Sequence, residues 1–147
     1  MNIINMDGLE LMQAVVCGEL PHPNMADTIP MKFVSADKGV VVFEAIADDR
    51  HTNPLGGVHG GFAATVMDSV TGCAVHTMLD AGVGYGTIDL NVKMLKAIPK
   101  NIALIAEGKV ISMSKSLGVS EGKLVDKNGK VYAYASATCM ILLPKKS

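Results

Sequence analysis

The longest apolar stretch of the chain, from Val58 to Leu79, contains His59, Asp68 and His76. At 100° per residue, Ala63, Val66, Met67, Val70, Cys73 and Ala74 form one broad apolar stripe. Asp68 points away from the centre of that stripe, beside Ala64, Thr65, Thr71 and Gly72. An acid among small side chains lies where a ligand or a second backbone can approach closely. In a tight, partly dry place its pKa is expected to rise, and it can then serve as base or nucleophile. The plainer alternative is a solvated residue on an exposed helix face. His59-Gly60-Gly61 opens the same stretch. A helix start offers free N–H groups and partial positive charge, and glycine admits a ligand oxygen, so this is a candidate oxyanion hole. A glycine pair placed only for packing is the alternative there.

Several chemistries are excluded by what is missing. His59 and Asp68 are nine residues apart, about 180° around a helix, so they cannot share a metal. Neither HExxH nor a Cys/His cluster occurs, and no metal is expected. There is no GxSxG elbow, no GxGxxG and no GxxxxGK[ST], which argues against a serine hydrolase, a dinucleotide site and a P-loop. Thirteen Lys+Arg against fourteen Asp+Glu give a net charge of −1, which removes the attraction to phosphate that nucleic-acid binding needs. Lys93, Lys96, Lys100, Lys115 and Lys123 read as solvated strand ends, with one or two free to meet an anionic ligand.

The elements that must position these residues follow from pattern. The 147 residues fit a single domain spanning 1–147, long enough to bury roughly 70% of its unfolded surface. Gly8 to Gly18 reads as a short amphipathic helix. Leu20 to Pro30 reads as a proline-punctuated loop. Met31–Ala36 and Val40–Ala47 are strand-like around the turn Asp37-Lys38-Gly39. The run from His51 to Val58 is a loop, and a helix follows from about His59 to Leu79. Gly84–Lys96, Ala103–Met113, Leu117–Asp126 and Val131–Leu142 complete the chain as strands. This order predicts an α+β fold, an antiparallel sheet wrapped about one long helix. A mid-span Asp costs about 3 kcal/mol in a bilayer, so that helix is expected inside a protein core and no membrane partner is expected.

Composition adds the rest. Apolar residues make up 49%, aromatics 4% and charged residues 18%, with ten Met and no Trp. The core is expected to be aliphatic and sulfur-rich, and the sparse charge suggests an exterior partly buried against another copy of the chain. Cys17, Cys73 and Cys139, an odd number without CxxC, read as reduced and buried, as in the cytoplasm. The N-terminus carries no basic run, which argues against a targeting peptide.

The run His51-Thr-Asn53-Pro54-Leu-Gly56-Gly-Val-His59-Gly60-Gly61, followed by Asp68, resembles the signature of PaaI-type hotdog-fold thioesterases. Gly86-Thr87-Ile-Asp89-Leu-Asn91-Val, Ser114-Lys115-Ser116 and Asp126-Lys-Asn-Gly129 extend the likeness over Gly8 to Leu143. The resemblance implies a hotdog fold and an acyl-CoA thioesterase without metal or redox cofactor, coenzyme A being part of the substrate. It implies Asp68 as general base or nucleophile and the Gly60 N–H, next to Gly61, as the group polarising the carbonyl. Asn53 would position the carbonyl or the water, and His59 would hold the loop or contact the thioester. Thr87, reached across a dimer interface, would stand near the water, while Ser114, Lys115 and Ser116 would meet the nucleotide end of coenzyme A. Gly72 occupies a place where some relatives carry a threonine. A homodimer or dimer of dimers (a homotetramer), with the active site between subunits, is implied as well. A non-catalytic acyl-CoA-binding hotdog protein is the competing reading; a hotdog dehydratase would show a different His-centred motif. Medium-chain or aryl acyl groups are expected.

Overall fold

The computed structural model describes residues 2–146. Helix α1 spans Gly8–Val16, α2 Met25–Thr28 and α3 Gly60–His76; strands β1 to β6 span Met31–Asp37, Val40–Ala45, Gly84–Met94, Leu104–Met113, Leu117–Val125 and Val131–Leu142. The strands form one antiparallel sheet in the order β1-β2-β4-β5-β6-β3. The sheet curls about α3, which packs on β2 to β6, while α1 covers β1. This is the α+β hotdog wrap expected from the sequence.

The helix starts are chemically explicit. Asp7 accepts from the Glu10 N–H at 2.8 Å, and the Glu10 carboxylate accepts from the Asp7 N–H at 2.8 Å, a reciprocal cap that starts α1. His59 caps α3 by accepting the Gly61 N–H on Nδ1 at 2.8 Å. Five of the six stripe residues read from the sequence, Ala63, Val66, Met67, Val70 and Ala74, are each at most 1% exposed, while Cys73 is partly buried. Where α3 crosses β4, Gly108 lies against the Val70 carbonyl, and a β-carbon there would collide with it. Backbone-to-backbone packing of that kind needs glycine.

Four expectations are corrected. Helix α3 ends at His76 rather than Leu79, because the Thr77 hydroxyl donates to the Ala74 carbonyl at 2.6 Å and accepts the Gly39 N–H at 2.7 Å. The proline-punctuated loop contains the single-turn α2, whose Thr28 carbonyl accepts from His51 Nε2 at 2.7 Å. Cys17 is exposed and only Cys139 is fully buried. The core does contain Met12, Met31 and Met67, but all three phenylalanines are buried too, with the Phe33 and Phe43 rings stacked at 4.2 Å.

β3 departs from simple alternation. Thr87 pairs with Cys139 but Asp89 with Thr138, so one extra residue, Ile88, bulges from the ladder. On β6, Ala135, Ala137 and Cys139 all face the core, and their partners are Val92, Leu90 and Thr87. Without the bulge, a strand that turns Tyr85 and Thr87 inward would also turn in Asp89 and Asn91. The bulge lets Leu90 and Val92 reach the core instead. Among the described residues no strand pairs with the outer edge of β3, and Ile88 is 57% exposed. No described helix is long and apolar enough to cross a membrane.

Candidate functional site

The loop before α3 is held by its own side chains. Asn53 Oδ1 accepts from the N–H groups of Leu55 at 3.0 Å and Gly57 at 3.2 Å. The Asn53 N–H donates to the Gly57 carbonyl at 2.7 Å, and Gly56 supplies the φ of +88° that this tight turn requires. Buried His51 accepts from the Asp48 N–H, and its own carbonyl accepts from the His59 N–H at 2.7 Å. These bonds fix the loop that leads into the first turn of α3. The Gly61 N–H is occupied by His59, and that of Phe62 by the His59 carbonyl. The Gly60 N–H has no acceptor among the described residues, so it remains free to bind a ligand oxygen at the positive end of a helix. A β-carbon on Gly60 would lie 2.8 Å from Sδ of the exposed Met94, a side chain able to shift, whereas one on Gly61 would lie 2.9 Å from His59 Nδ1, the atom that caps the helix.

Asp68 stands on the α3 face that the sheet leaves uncovered. It lines a cavity of about 230 Å³ that lies between the two sheet edges, with Met31 and Phe33 from β1 and Tyr85 and Thr87 from β3. In the single chain Asp68 is exposed, not enclosed as the sequence suggested. The Thr87 hydroxyl lies 3.8 Å from Cys139 Sγ. Burial pushes the Cys73 thiol up to about 12 and raises the Tyr85 phenol, with Cys73 beside it. Burial likewise raises Cys139, against the opposing effect of Thr87. Apart from Asp68, the ionisable groups in the cavity are therefore neutral at pH 7, and it suits an uncharged, largely apolar guest.

The structure brings some expected site residues together and separates others. Asp68 and Thr87 share one cavity within one chain, so Thr87 does not have to cross a subunit boundary to reach the acid. His59, Gly60 and Gly61 line other hollows, of about 570 and 200 Å³. Gly60 precedes Asp68 by eight residues, a rise of about 12 Å along α3. One carbonyl cannot touch both. Ser114-Lys115-Ser116 forms the β4–β5 turn, where the Ser114 hydroxyl accepts the Leu117 N–H at 3.1 Å and donates to its carbonyl at 3.2 Å. This turn lies beside Met78, Leu79 and Asp80, at the C-terminal end of α3 and about 25 Å from the helix start. Among the described residues no group of three or more His, Cys, Asp or Glu side chains is placed to hold a metal ion.

One participant escaped the sequence reading. Tyr85 lines the cavity with Asp68, and its ring rests on Gly72, where a β-carbon would come 2.8 Å from Cε2 and 3.1 Å from the hydroxyl. The signal was present as a parity conflict: Tyr85 and Thr87 fall on odd positions, Leu90 and Val92 on even ones. Only a bulge reconciles the two sets.

Comparison with known proteins places these features in context. The family model described as Thioesterase superfamily matches residues 55–133. Human acyl-coenzyme A thioesterase 13 is 27% identical over 106 residues, covering 71% of this chain and 75% of that protein. A phenylacetic acid degradation-related protein of Ralstonia eutropha JMP134 superposes with a TM-score of 0.79 at 28% identity, covering 88% of this chain and 98% of that one. The PaaI protein of E. coli, from the phenylacetic acid degradation operon, superposes at 0.77 with 17% identity, covering 88% and 91%.

Proposed function

The chain belongs to the thioesterase superfamily, as a PaaI-type hotdog thioester hydrolase, and from that premise we propose that it cleaves acyl-CoA to a free acid and coenzyme A. Asp68 acts as general base on water or as nucleophile on the thioester carbonyl. In the water route the proton of the attacking water passes to the carboxylate, the C–S bond breaks, and the thiolate leaves as a thiol after taking up a proton. The Gly60 N–H binds the carbonyl oxygen as it gains charge. Asn53, through its amide nitrogen, and Thr87, through its hydroxyl, orient the carbonyl and the water. His59 keeps the loop in place. These groups suffice for the chemistry without a metal or redox cofactor.

The separation of Asp68 from Gly60 carries the quaternary part of this reading. The free edge of β3, eleven residues long, can pair antiparallel with the same edge of a second copy, a two-fold arrangement. The two α3 helices then run antiparallel, and the small side chains Ala64 and Thr65 allow close approach. Asp68 of one copy faces Gly60 of the partner subunit. The active unit is accordingly a homodimer, with a dimer of dimers as the larger form. Lys115, exposed at its turn, meets the phosphates of coenzyme A alongside Ser114 and Ser116. The three free cysteines fit a reducing compartment such as the cytoplasm.

Thiol release from a panel of acyl-CoAs, with Asp68→Asn as the control, tests the reading. Turnover is expected for at least one acyl group, with a loss of at least about a hundredfold in the variant. Binding of acyl-CoAs without any release would favour the non-catalytic reading instead. Full activity in Asp68→Asn would remove Asp68 from the mechanism.

A further inference from the structure

The 230 Å³ cavity beside Asp68 has a definite far wall. Gly72 lies one helical turn beyond Asp68 on the same face of α3, about 6 Å along the axis. The Tyr85 ring sits directly on the Gly72 backbone, so close that any side chain at Gly72 would displace it. His76, a further turn along the same helix, packs on the ring at a centroid distance of 5.3 Å. The bulge at Ile88 keeps Tyr85 on the inward side of β3. Met25, Met31, Phe33 and Phe43 supply the remaining apolar walls, and Asp68 is the only charged residue lining the cavity.

We propose that this cavity receives the acyl group and that Tyr85, seated on Gly72, sets how long that group can be. The inference rests on the thioesterase reading and adds the residue that determines specificity. A thioester carbonyl placed at Asp68 directs its acyl chain along the α3 face toward Tyr85, where the ring stops it. An engineered apolar cavity of about 150 Å³ holds benzene. By proportion, 230 Å³ accepts about nine non-hydrogen atoms: one aromatic ring with a short linker, or a chain of about eight carbons. Tyr85 is a wall and not a mobile gate, because its ring is seated on the Gly72 backbone and packed against His76.

The test is a ladder of straight-chain acyl-CoAs from two to sixteen carbons, read as kcat/KM, for wild type, Tyr85→Leu and Tyr85→Phe. The wild type is expected to lose at least tenfold once the chain passes about eight carbons. Tyr85→Leu, which removes the ring and keeps an apolar side chain, is expected to move that limit outward by two or more carbons. Tyr85→Phe, which keeps the ring, should leave the limit in place. The same ladder of non-cleavable thioether analogues, read by binding affinity, gives the limit without turnover. A protein that binds with the predicted limit but cleaves nothing would overturn the enzymatic reading and leave the pocket standing. Equal use of sixteen-carbon chains by wild type, or an unchanged limit in a folded Tyr85→Leu protein, would overturn the role of Tyr85.

Discussion

Asp68 and Gly60 stand on the same helix, a little over two turns apart, about 12 Å along its axis. A free N–H and a carboxylate lining an apolar cavity are the two groups an acyl transfer needs. Within one chain they cannot meet. Asn53 stays with Gly60 through the loop bonds that lead into α3, and Thr87 stays with Asp68. On the proposed thioesterase reading, the chain therefore carries two half-sites.

Subunit mixing distinguishes this arrangement from a site within one chain. A heterodimer of Asp68→Asn and Asn53→Ala subunits has one site with both native residues and one with neither. Each parent homodimer is expected to lose at least about a hundredfold in activity. Unfolding and refolding the two together should restore roughly a quarter of wild-type activity, since half of the dimers are mixed and each has one native site of two. No recovery in verified mixed dimers would place Asp68 and Asn53 in the same site of the same chain.

Lys115 lies at the tip of a turn whose serine hydroxyl is already committed to Leu117. Its amine is the one positive charge of that turn, and in the proposed reading it meets the phosphates of coenzyme A. An exposed charge pair of this kind is worth up to about 1 kcal/mol. Lys115→Ala should raise KM for an acyl-CoA by up to about fivefold and leave kcat unchanged, the signature of lost uniform binding. The effect should fade at high salt and vanish with an acyl-pantetheine, which has no nucleotide. A fall in kcat on both substrates would assign the turn a different role.

What the sequence made legible was set by local chemistry. The apolar stripe of α3 and the limits of β6 followed from periodicity, and the start of the long helix followed from His59-Gly60-Gly61. The end of α3 was not legible, because it depends on Thr77 bonding Gly39, thirty-eight residues away. Nor was the inward turn of Tyr85, because a bulge shows only when β3 is laid against β6. The candidate acid and the free helix start could be named from their residue types alone. Their separation could be computed from eight residues of helix, but its consequence depends on knowing which face of α3 the sheet leaves open.

The bond between Thr77 and Gly39 predicts a stability effect remote from the site. The Thr77 hydroxyl is the acceptor for the Gly39 N–H at 2.7 Å, and both residues are buried. Gly39 turns the β1–β2 hairpin with a φ of +81°, and its carbonyl accepts from the Val110 N–H at 2.8 Å. Thr77→Val keeps the shape and removes the acceptor, leaving a buried N–H unpaired at a cost of about 1–3 kcal/mol. Urea unfolding should show a lower midpoint with an unchanged slope. A midpoint equal to wild type would mean that water reaches the turn.

His76 predicts how stability depends on pH. Burial against α1 and the Tyr85 ring disfavours its charged form and lowers its pKa below the ordinary 6.5. Between those two values the unfolded chain binds more protons than the folded one, so stability rises with pH. The contribution of His76 is therefore complete above about 6.5 and is lost as pH falls through its folded value. Thermal unfolding should show a lower Tm at pH 5.5 than at pH 7.5. In His76→Gln, which retains a polar side chain of similar reach and cannot take up the proton, the difference should shrink. An equal difference in wild type and variant would assign the pH dependence to other groups.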